Sequence, residues 1–384
     1  MAFGDIRTFL IQAIDLCNLN CSYCYLPGRK DPTPMSHAIL EKTLSLIFGW
    51  DRVGDKIRID WNAGEPLTAK MAYYEFAFGR IQKENTRGIV VEQNIQTNAT
   101  LLTPEWCAFL CKHKVGVGIS VDGPDFIHDR YRKNWKNKGS HLLVQKGIQC
   151  LKEYRSQLSA VCVLTNYSLD FPDEIFDYFV SNGFKSVGFN IEELEGFNHT
   201  SSLFSDKNIS EEIACRYLQF MTKLYARWKQ NPEKIEIREF IQFRKKFSQI
   251  YFGKSLQLLQ PETRFLDVIT ISKTGNLFAF SPELSGGIAT DPNAFVVGNV
   301  MEIDSFNDIE RHPNFIKLNQ EIQTGVKMCK DSCEYFPVCG GGFPVNKYSE
   351  NKTFESTETG QCKLSIQLLA DFLLKEWQLS PNGS

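Results

Sequence analysis

The sequence CNLNCSYC, residues 17–24, directly follows a short apolar run, TFLIQAI, residues 8–14. That run has the length and composition of a β-strand. Three thiolates on one short loop can hold three irons of a cubane cluster and leave the fourth iron open. An open metal position can bind and activate a substrate. The spacing therefore predicts a catalytic [4Fe–4S] cluster on Cys17, Cys21 and Cys24. A zinc site, completed by a further ligand, is the alternative.

Outward from this loop, β-rich runs alternate with helical patterns. The predicted strands are residues 8–14, 57–61, 89–95, 115–121, 159–164 and 186–191, and the predicted helices between them are 36–48, 69–85, 103–112, 140–153 and 171–182. This alternation indicates parallel β–α units, since parallel strands need long crossovers. A closed eight-stranded barrel takes about 250 residues. The sixth strand ends near residue 191, so the pattern predicts an α/β fold with an open, partial (β/α)6 barrel.

The second half of the chain has a different pattern. A strongly helical stretch covers 208–249, and a β-hairpin is predicted at 265–280, with Gly275 and Asn276 in its turn. A cysteine-rich segment and a closing helix over 363–378 follow. A chain of 384 residues exceeds the usual size of one hydrophobic core. We therefore predict two domains, residues 1–235 and 236–384.

Composition excludes several classes of function. The formal net charge of −2 argues against a broad nucleic-acid interface. The chain shows neither a signal-peptide pattern nor an apolar run long enough to span a bilayer, so we expect a cytoplasmic protein without a membrane partner. Disulfides rarely persist in the cytoplasm. The clustered cysteines among the twelve therefore indicate metal or redox sites, and the scattered ones indicate packing.

The cysteine spacing, with Tyr23 before the last cysteine at the end of the first strand, resembles the signature of the radical S-adenosylmethionine (AdoMet) superfamily. The resemblance implies that the open iron of a [4Fe–4S] cluster binds AdoMet. One electron then splits a carbon–sulfur bond of AdoMet and releases a 5′-deoxyadenosyl radical. The aromatic residue, Tyr23, is implied to lie near the adenine.

Four further motifs follow strands, where such a barrel needs them. Ala63-Gly64-Glu65-Pro66 resembles the family's G-G-E-P, with alanine in place of the first glycine. Gln96-Thr97-Asn98, Ser120 with Asp122, and Arg132 resemble the sulfatase-maturase-like branch; an arginine fork suits the AdoMet carboxylate. The alternative for Ser120 and Asp122 is turn capping. The implied AdoMet-binding residues are Tyr23, Gly64, Glu65, Pro66, Asn98, Ser120, Asp122 and Arg132.

The second cysteine set is Cys329, Cys333, Cys339 and Cys362. Four thiolates can bind a structural zinc or a second iron–sulfur cluster. The segment resembles the SPASM extension of radical AdoMet enzymes that modify peptides. Only half of the usual SPASM cysteines are present, and Phe343 stands where a further one is expected. The resemblance therefore implies one fully protein-ligated auxiliary [4Fe–4S] cluster and a SPASM-like C-terminal domain.

The segments around Asn190–Gly196, Phe280–Leu284 and Cys339–Glu350 resemble the maturases that form three-residue cyclophanes, or triceptides, in glycine-rich-repeat-type precursors. The implied reaction removes a β-hydrogen from a peptide residue and joins its β-carbon to an aromatic ring two residues earlier. The ring then loses an electron and a proton. The candidate bases are Glu192, Glu193 and Glu283, with solvated or capping acids as the alternative.

The implied partners are a ribosomally made precursor peptide, which a strand edge of the C-terminal region could capture, and an electron donor such as flavodoxin or ferredoxin. Three other activities share the barrel motifs: thioether formation, epimerisation and sulfatase-type formylglycine formation. A non-catalytic, zinc-containing peptide-binding adaptor is the alternative from a different class.

Overall fold

One nine-stranded sheet organises the computed structural model, which describes residues 6–205, 208–253, 260–289, 291 and 293–378. The strands are β1 Arg7–Gln12, β2 Lys56–Asn62, β3 Val90–Thr97, β4 Gly116–Ser120, β5 Leu158–Leu164, β6 Phe184–Ile191, β7 Glu236–Ile237, β8 Val268–Ile271 and β9 Leu277–Ala279. Their order is β7-β6-β5-β4-β3-β2-β1-β8-β9. Every neighbouring pair is parallel except β8 and β9. The predicted partial barrel is confirmed: the parallel sheet is partly closed.

Helices connect the first six strands. The α-helices are α1 His37–Gly49, α2 Met71–Glu84, α3 Pro104–Lys112, α4 Asp125–Tyr131, α5 His141–Tyr154, α6 Pro172–Ser181, α7 Glu211–Gln230, α8 Arg238–Tyr251, α9 Pro313–Ser332, α10 Phe336–Cys339, α11 Pro344–Asn351, α12 Gly360–Cys362 and α13 Leu369–Gln378. Local sequence explains several starts. Ser36 caps α1 by accepting from the Ile39 N–H, and Thr103 caps α3, whose first residue is a proline.

Alternation along the strands separates two faces of the sheet. In β2, Ile57, Ile59 and Trp61 are fully buried, whereas Arg58 is exposed and Asp60 is half-buried. Because successive side chains of a strand point to opposite faces, one face packs the helices and the other stays polar. The polar face lines the inside of the partly closed sheet.

The predicted hairpin is confirmed as β8 and β9, and it joins the barrel sheet directly. β8 pairs in parallel with β1, from Thr8 opposite Val268 to Ile11 opposite Ile271. At the outer edge, Leu277 of β9 exchanges backbone hydrogen bonds with the 297–298 segment. A peptide that pairs with β9 at this point must displace that segment.

The helical stretch predicted at 208–249 is two helices separated by a strand. α7 ends at Gln230, just before Asn231 and Pro232, because proline disfavours a helical conformation at the residue before it. β7 follows and pairs with β6. The predicted domain boundary at 235/236 falls here. The sheet continues across it, so the two-domain division stays a prediction.

The C-terminal part packs against the start of the barrel. The Phe306 ring lies 5.6 Å from that of Phe9 on β1 and 5.4 Å from that of Trp50, measured between centroids. The 20-residue helix α9, which the sequence pattern did not predict, carries Cys329. The predicted closing helix is present as a π-helical turn, Lys363–Leu368, followed by α13. Across the described ranges, no helix is long and apolar enough to cross a membrane.

Candidate active site

The three cysteines of the first loop follow the carboxyl end of β1, where burial and the neighbouring thiols raise the pKa values of Cys17 and Cys21. Burial raises the pKa of Cys17 to about 12, and Glu65, Cys21 and Cys24 contribute to the same shift. Burial also raises the pKa of Cys21 to about 11. Only the thiolate ligates a metal. These thiols are therefore suited to ionise when a positively charged centre, such as the irons of a cluster, compensates them.

The cysteine loop is fixed by the segment after α4. The backbone N–H of Asn20 donates to the Lys133 carbonyl at 2.6 Å, and that of Ser22 donates to the Tyr131 carbonyl at 3.0 Å. These bonds set the loop between β1 and the end of α4. The chain thereby places its cysteines and the residues around position 132 in one site.

The Ala63–Pro66 motif adopts a tight left-handed turn. Ala63 and Gly64 have φ angles of 71° and 53°. A Cβ on Gly64 would lie 2.5 Å from the carbonyl oxygen of Asp15, so glycine is required there. Ala63 shows that the turn forms without the first glycine of the family motif. Pro66 begins a short 3₁₀ turn, which ends the motif.

Glu65 ties the end of β2 to the end of β3. Its buried carboxylate accepts from Thr97 Oγ1 at 2.7 Å, from the Asn98 N–H at 2.8 Å and from the Leu67 N–H at 3.1 Å. Burial raises its pKa to about 7, against the opposing effect of these hydrogen bonds. Glu65 therefore orients Asn98. Direct AdoMet contacts by Gly64, Glu65, Pro66 and Asn98 remain predictions.

Asp122 is the centre of a buried polar cluster. It accepts from Arg132 Nε at 2.9 Å, from a terminal nitrogen of Arg132 at 3.0 Å, from the Val163 N–H at 3.0 Å and from the Tyr23 hydroxyl. Burial alone would raise the pKa of Asp122, but Arg132 holds it below its usual value. Asp122 and Arg132 thus satisfy each other and fix Tyr23. Their AdoMet contacts, and that of Ser120, stay predictions.

Glycines on two strands make room for long polar side chains inside the sheet. A Cβ on Gly118 would lie 2.2 Å from Gln96 Oε1, and one on Gly188 would lie 2.5 Å from the Arg238 guanidinium carbon. Gln96 donates to Ser120 Oγ at 2.8 Å, which places Ser120 on this inner face. A substrate that binds inside the partly closed sheet would therefore face these hydrogen-bonding groups.

The four C-terminal cysteines line one small cavity. Its wall also includes aromatic and aliphatic side chains, Tyr335, Phe336, Phe343 and Ile366, together with polar ones such as Lys347. Two backbone N–H groups point at sulfur, from Gly342 to Cys339 at 3.1 Å and from Thr359 to Cys362 at 3.2 Å. Burial raises the pKa of Cys339, and that of Cys362 to about 11. Four thiols around one apolar cavity, with N–H groups aimed at sulfur, fit a fully ligated iron–sulfur cluster.

A single-ion site has different geometry. A zinc ion holds its ligands about 2.0–2.3 Å from one centre, whereas a cubane cluster takes one thiolate on each of its irons. Within the described ranges, no three His, Cys, Asp or Glu side chains are grouped to hold a single metal ion.

The three predicted bases differ in their surroundings. Glu192 is buried and accepts from the N–H of Ser202 at 2.9 Å and from its hydroxyl, so it caps a loop. Glu193 accepts from Asn346 Nδ2 at 2.8 Å, and Glu283 accepts from the Ser281 hydroxyl. Burial, with a further contribution from nearby Glu283 and against the hydrogen bond from Asn346, raises the pKa of Glu193 to about 7. Burial also raises the pKa of Glu283.

Glu195 joins this group and was missed as a base from the sequence. Burial raises its pKa well above normal, and Glu193, Glu283 and Cys24 add to the shift. The backbone explains the proximity: the Phe197 N–H donates to the carbonyl of Tyr25 at 2.7 Å. We call Glu193, Glu195 and Glu283 the glutamate cluster. It lies beside the segment that leaves the first cysteine loop.

The turn after Glu283 approaches the same segment. A Cβ on Gly286 would lie 3.1 Å from the carbonyl oxygen of Tyr25, and one on Gly196 would lie 2.4 Å from it. Tyr25 is therefore held between two glutamate-bearing loops. Its position directly after Cys24 was the available sequence signal. Asn346 and Lys347 lie in the Cys339–Glu350 segment that the sequence singles out, but the sequence assigned no role to either.

Comparison with known proteins gives a consistent picture. The model of the Radical SAM superfamily matches residues 11–159. The chain is 35% identical over 376 residues to the uncharacterized protein sll1766 of Synechocystis sp., covering 97% of this chain and 92% of that protein. It is 27% identical over 391 residues to the serine-type anaerobic sulfatase-maturating enzyme of Bacteroides thetaiotaomicron, covering 94% and 89%.

Solved structures share the fold. Native anSMEcpe with bound AdoMet and Cp18Cys peptide superposes with a TM-score of 0.77 and 22% identity, covering 97% of each chain. Streptococcus suis SuiB bound to the precursor peptide SuiA gives a TM-score of 0.60 and 15% identity, covering 93% of this chain and 75% of SuiB.

Proposed function

This chain belongs to the radical SAM superfamily, and on that premise we propose that it matures a ribosomally made peptide by forming a cyclophane. The reaction joins an aromatic ring to the β-carbon of the residue two places later. The observation that carries the proposal is the glutamate cluster beside the first cysteine loop. It offers a proton acceptor at the place where a radical would be generated.

Two iron–sulfur clusters fit the residues present. Cys17, Cys21 and Cys24 would hold the first, with AdoMet, and Cys329, Cys333, Cys339 and Cys362 would hold the second. When bound, these groups supply a hydrogen-abstracting 5′-deoxyadenosyl radical at the first site and an electron acceptor at the second. The buried thiols and the N–H groups directed at sulfur support this assignment.

The reaction balances as the loss of two hydrogens from the peptide. One hydrogen atom leaves the β-carbon, a carbon–carbon bond forms, and the ring then gives up one electron and one proton. A carboxylate of the glutamate cluster takes that proton. General bases work best when their pKa lies near the operating pH, and burial shifts the pKa values of Glu193 and Glu283 in that direction. Glu192 serves the loop that it caps.

The peptide is proposed to lie against the polar inner face of the sheet, where Gln96, Asn190 and Arg238 present hydrogen-bonding groups. Two proteins of this fold have been solved with peptides bound, anSMEcpe with Cp18Cys and SuiB with SuiA. The first cluster also needs an external electron donor, for which flavodoxin or ferredoxin is proposed.

Formylglycine formation is the second candidate. The serine-type sulfatase-maturating enzyme of Bacteroides thetaiotaomicron aligns over 94% of this chain, which favours it. The reduced set of C-terminal cysteines favours the cyclophane.

The decisive experiment is anaerobic coexpression of the chain with the short peptide encoded beside its gene, followed by mass spectrometry. Cyclophane formation predicts a loss of two hydrogens per motif and blocked fragmentation between the aromatic residue and the residue two places later. Conversion of serine to formylglycine gives the same mass loss, but the product reacts with an aldehyde-specific hydrazide. A peptide that reacts with the hydrazide and fragments normally would replace the cyclophane proposal with the second candidate.

Two further products of that experiment would also overturn the cyclophane. An unchanged mass with D-residues would indicate an epimerase, and a crosslink to cysteine sulfur would indicate a thioether former. An intact peptide, with neither 5′-deoxyadenosine nor iron, would indicate the peptide-binding adaptor.

In the Glu283→Gln variant, we expect the amount of product to fall about 10²-fold while 5′-deoxyadenosine is still released. Equal loss of both would exclude Glu283 as the proton acceptor.

A further inference from the structure

Lys347 is a buried lysine whose ammonium group meets a cysteine sulfur. It lies on α11 with 3% of its surface exposed. Its Nζ donates to the Gly325 carbonyl at 2.8 Å and to Cys329 Sγ at 3.2 Å. Among the described residues, Lys347 forms no ion pair with a carboxylate. A buried ammonium group needs a compensating negative charge. The thiolate of Cys329 is placed to provide it.

The fold makes specific room for this contact. Gly325 and Cys329 lie one turn apart on α9, so both face Lys347. A Cβ on Gly325 would lie 2.0 Å from the carbonyl oxygen of Phe354 and 3.3 Å from Lys347 Nζ. The missing side chain lets Phe354 and the lysine both approach the helix. Lys347 also lines the cavity of the four cysteines.

We propose that Lys347 is a positioning residue that raises the reduction potential of the cluster bound by the four C-terminal cysteines. The inference rests on the second cluster of the proposed function. Reduction adds one negative charge to a cluster. A fixed positive charge and an N–H···S hydrogen bond therefore stabilise the reduced form more than the oxidised form.

A raised reduction potential suits the electron-accepting role proposed for the second cluster. Backbone N–H groups also donate to sulfur there, from Gly342 to Cys339 and from Thr359 to Cys362, and carry no net charge. A second cation, Lys246, acts on Cys339 through its charge and lowers the pKa of that thiol against the effect of burial. Lys347 adds a full positive charge against sulfur. A raised potential makes the cluster a better acceptor for the electron that the crosslinked ring releases. The lysine thereby couples the C-terminal site to product formation without touching the peptide.

The test measures the potential of the second cluster alone. Full-length protein with Cys17→Ala, Cys21→Ala and Cys24→Ala is reconstituted anaerobically and titrated, with the reduced cluster followed by EPR spectroscopy. Lys347→Met removes both charge and hydrogen bonds, whereas Lys347→Gln removes the charge and retains an N–H donor. Lys330→Met is the matched control, because Lys330 follows Cys329 but is exposed.

We expect both Lys347 variants to lower the equilibrium constant for one-electron reduction at least tenfold, a shift of about 59 mV to more negative potential. Lys330→Met should change it much less. Equal potentials in Lys347→Gln and its parent, at equal iron content, would overturn the inference. If Lys347→Met fails to bind iron, Lys347→Gln decides the question in the same way. If neither variant retains iron while Lys330→Met does, Lys347 is required for assembly and the tuning role is overturned. A parent protein that binds zinc here would contradict the second cluster itself, which is a separate failure.

Discussion

At the scale of single residues, several side chains that the motifs single out also have a structural role. Asp122 and Arg132 resemble cofactor ligands in the sequence, yet they form a buried pair that fixes the Tyr23 hydroxyl. Glu65 similarly satisfies groups at the end of β3. A buried carboxylate needs hydrogen-bond donors. Asp122 and Glu65 take theirs from neighbouring loops, so these motif residues hold the parts of the site together.

Replacing Asp122 with asparagine should test this supporting role. The change leaves Arg132 buried without its counter-charge, so we expect the free energy of unfolding to fall by at least about 3 kcal/mol. Anaerobic denaturant titration measures it. Asp125→Asn, at an exposed position on the adjoining helix α4, is the control. Equal unfolding free energies for Asp122→Asn and the parent would show that the pair is not structural.

Glu193 should make stability depend on pH. Burial raises its folded-state pKa from 4.5 to about 7. Between these values the folded protein binds more protons than the unfolded chain, so stability falls as pH rises through this window. Glu193→Gln removes that contribution. Relative to the parent, the variant should gain stability between pH 5 and pH 7.5 in denaturant titrations. The exposed Glu211→Gln should show no such gain, and an identical pH dependence of parent and Glu193→Gln would contradict the assignment.

At the scale of elements, the β8–β9 hairpin reaches across the sheet edge to the first cysteine loop. Its turn residue Lys273 pairs with Asp15 at 3.0 Å and Asp31 at 2.6 Å, on either side of the cysteines. The hairpin therefore supports the loop as well as extending the sheet. Its turn sequence predicts the hairpin, but only the pairing of β8 with β1 places that turn beside the cysteines.

Lys273→Met should loosen the first cysteine loop. Lys273 is half-buried and its aspartate partners are more exposed. Because ion pairs with a solvent-exposed partner contribute up to about 1 kcal/mol each, we expect a severalfold faster loss of iron from the first site to a chelator. The rate is followed by absorbance under anaerobic conditions. Lys56→Met is the matched control, because it breaks a similar pair with Glu92 away from the cysteines. Similar iron-loss rates in the two variants would contradict this role for the hairpin.

At the scale of the whole molecule, the two cysteine sites stand on one continuous structure. Asn346 of the C-terminal part donates to Glu193, which follows β6 of the barrel. The glutamate cluster thus combines residues from both halves of the chain. A reaction that needs a radical at one site and an electron acceptor at the other requires such a shared framework.

Iron content should report the two sites separately. Reconstituted protein should bind about eight irons per chain, and the Cys17→Ala, Cys21→Ala, Cys24→Ala variant about four. Alanine at the four C-terminal cysteines should likewise leave about four. Iron and acid-labile sulfide assays measure this, with Cys215→Ala, an exposed cysteine outside both sets, as the control. About four irons in the parent, with zinc in addition, would contradict the second cluster.

The sequence by itself determined the local features. Cysteine spacing, strand alternation and the Gly275-Asn276 turn are short-range properties, and they predicted the first cysteine site, the partial barrel and the hairpin. Tertiary structure alone decided that β8 lies beside β1, that Glu195 lies near Glu283, and that Lys347 meets Cys329. These pairings join residues distant along the chain. No local propensity encodes them, because they arise only when packed elements bring separate loops together.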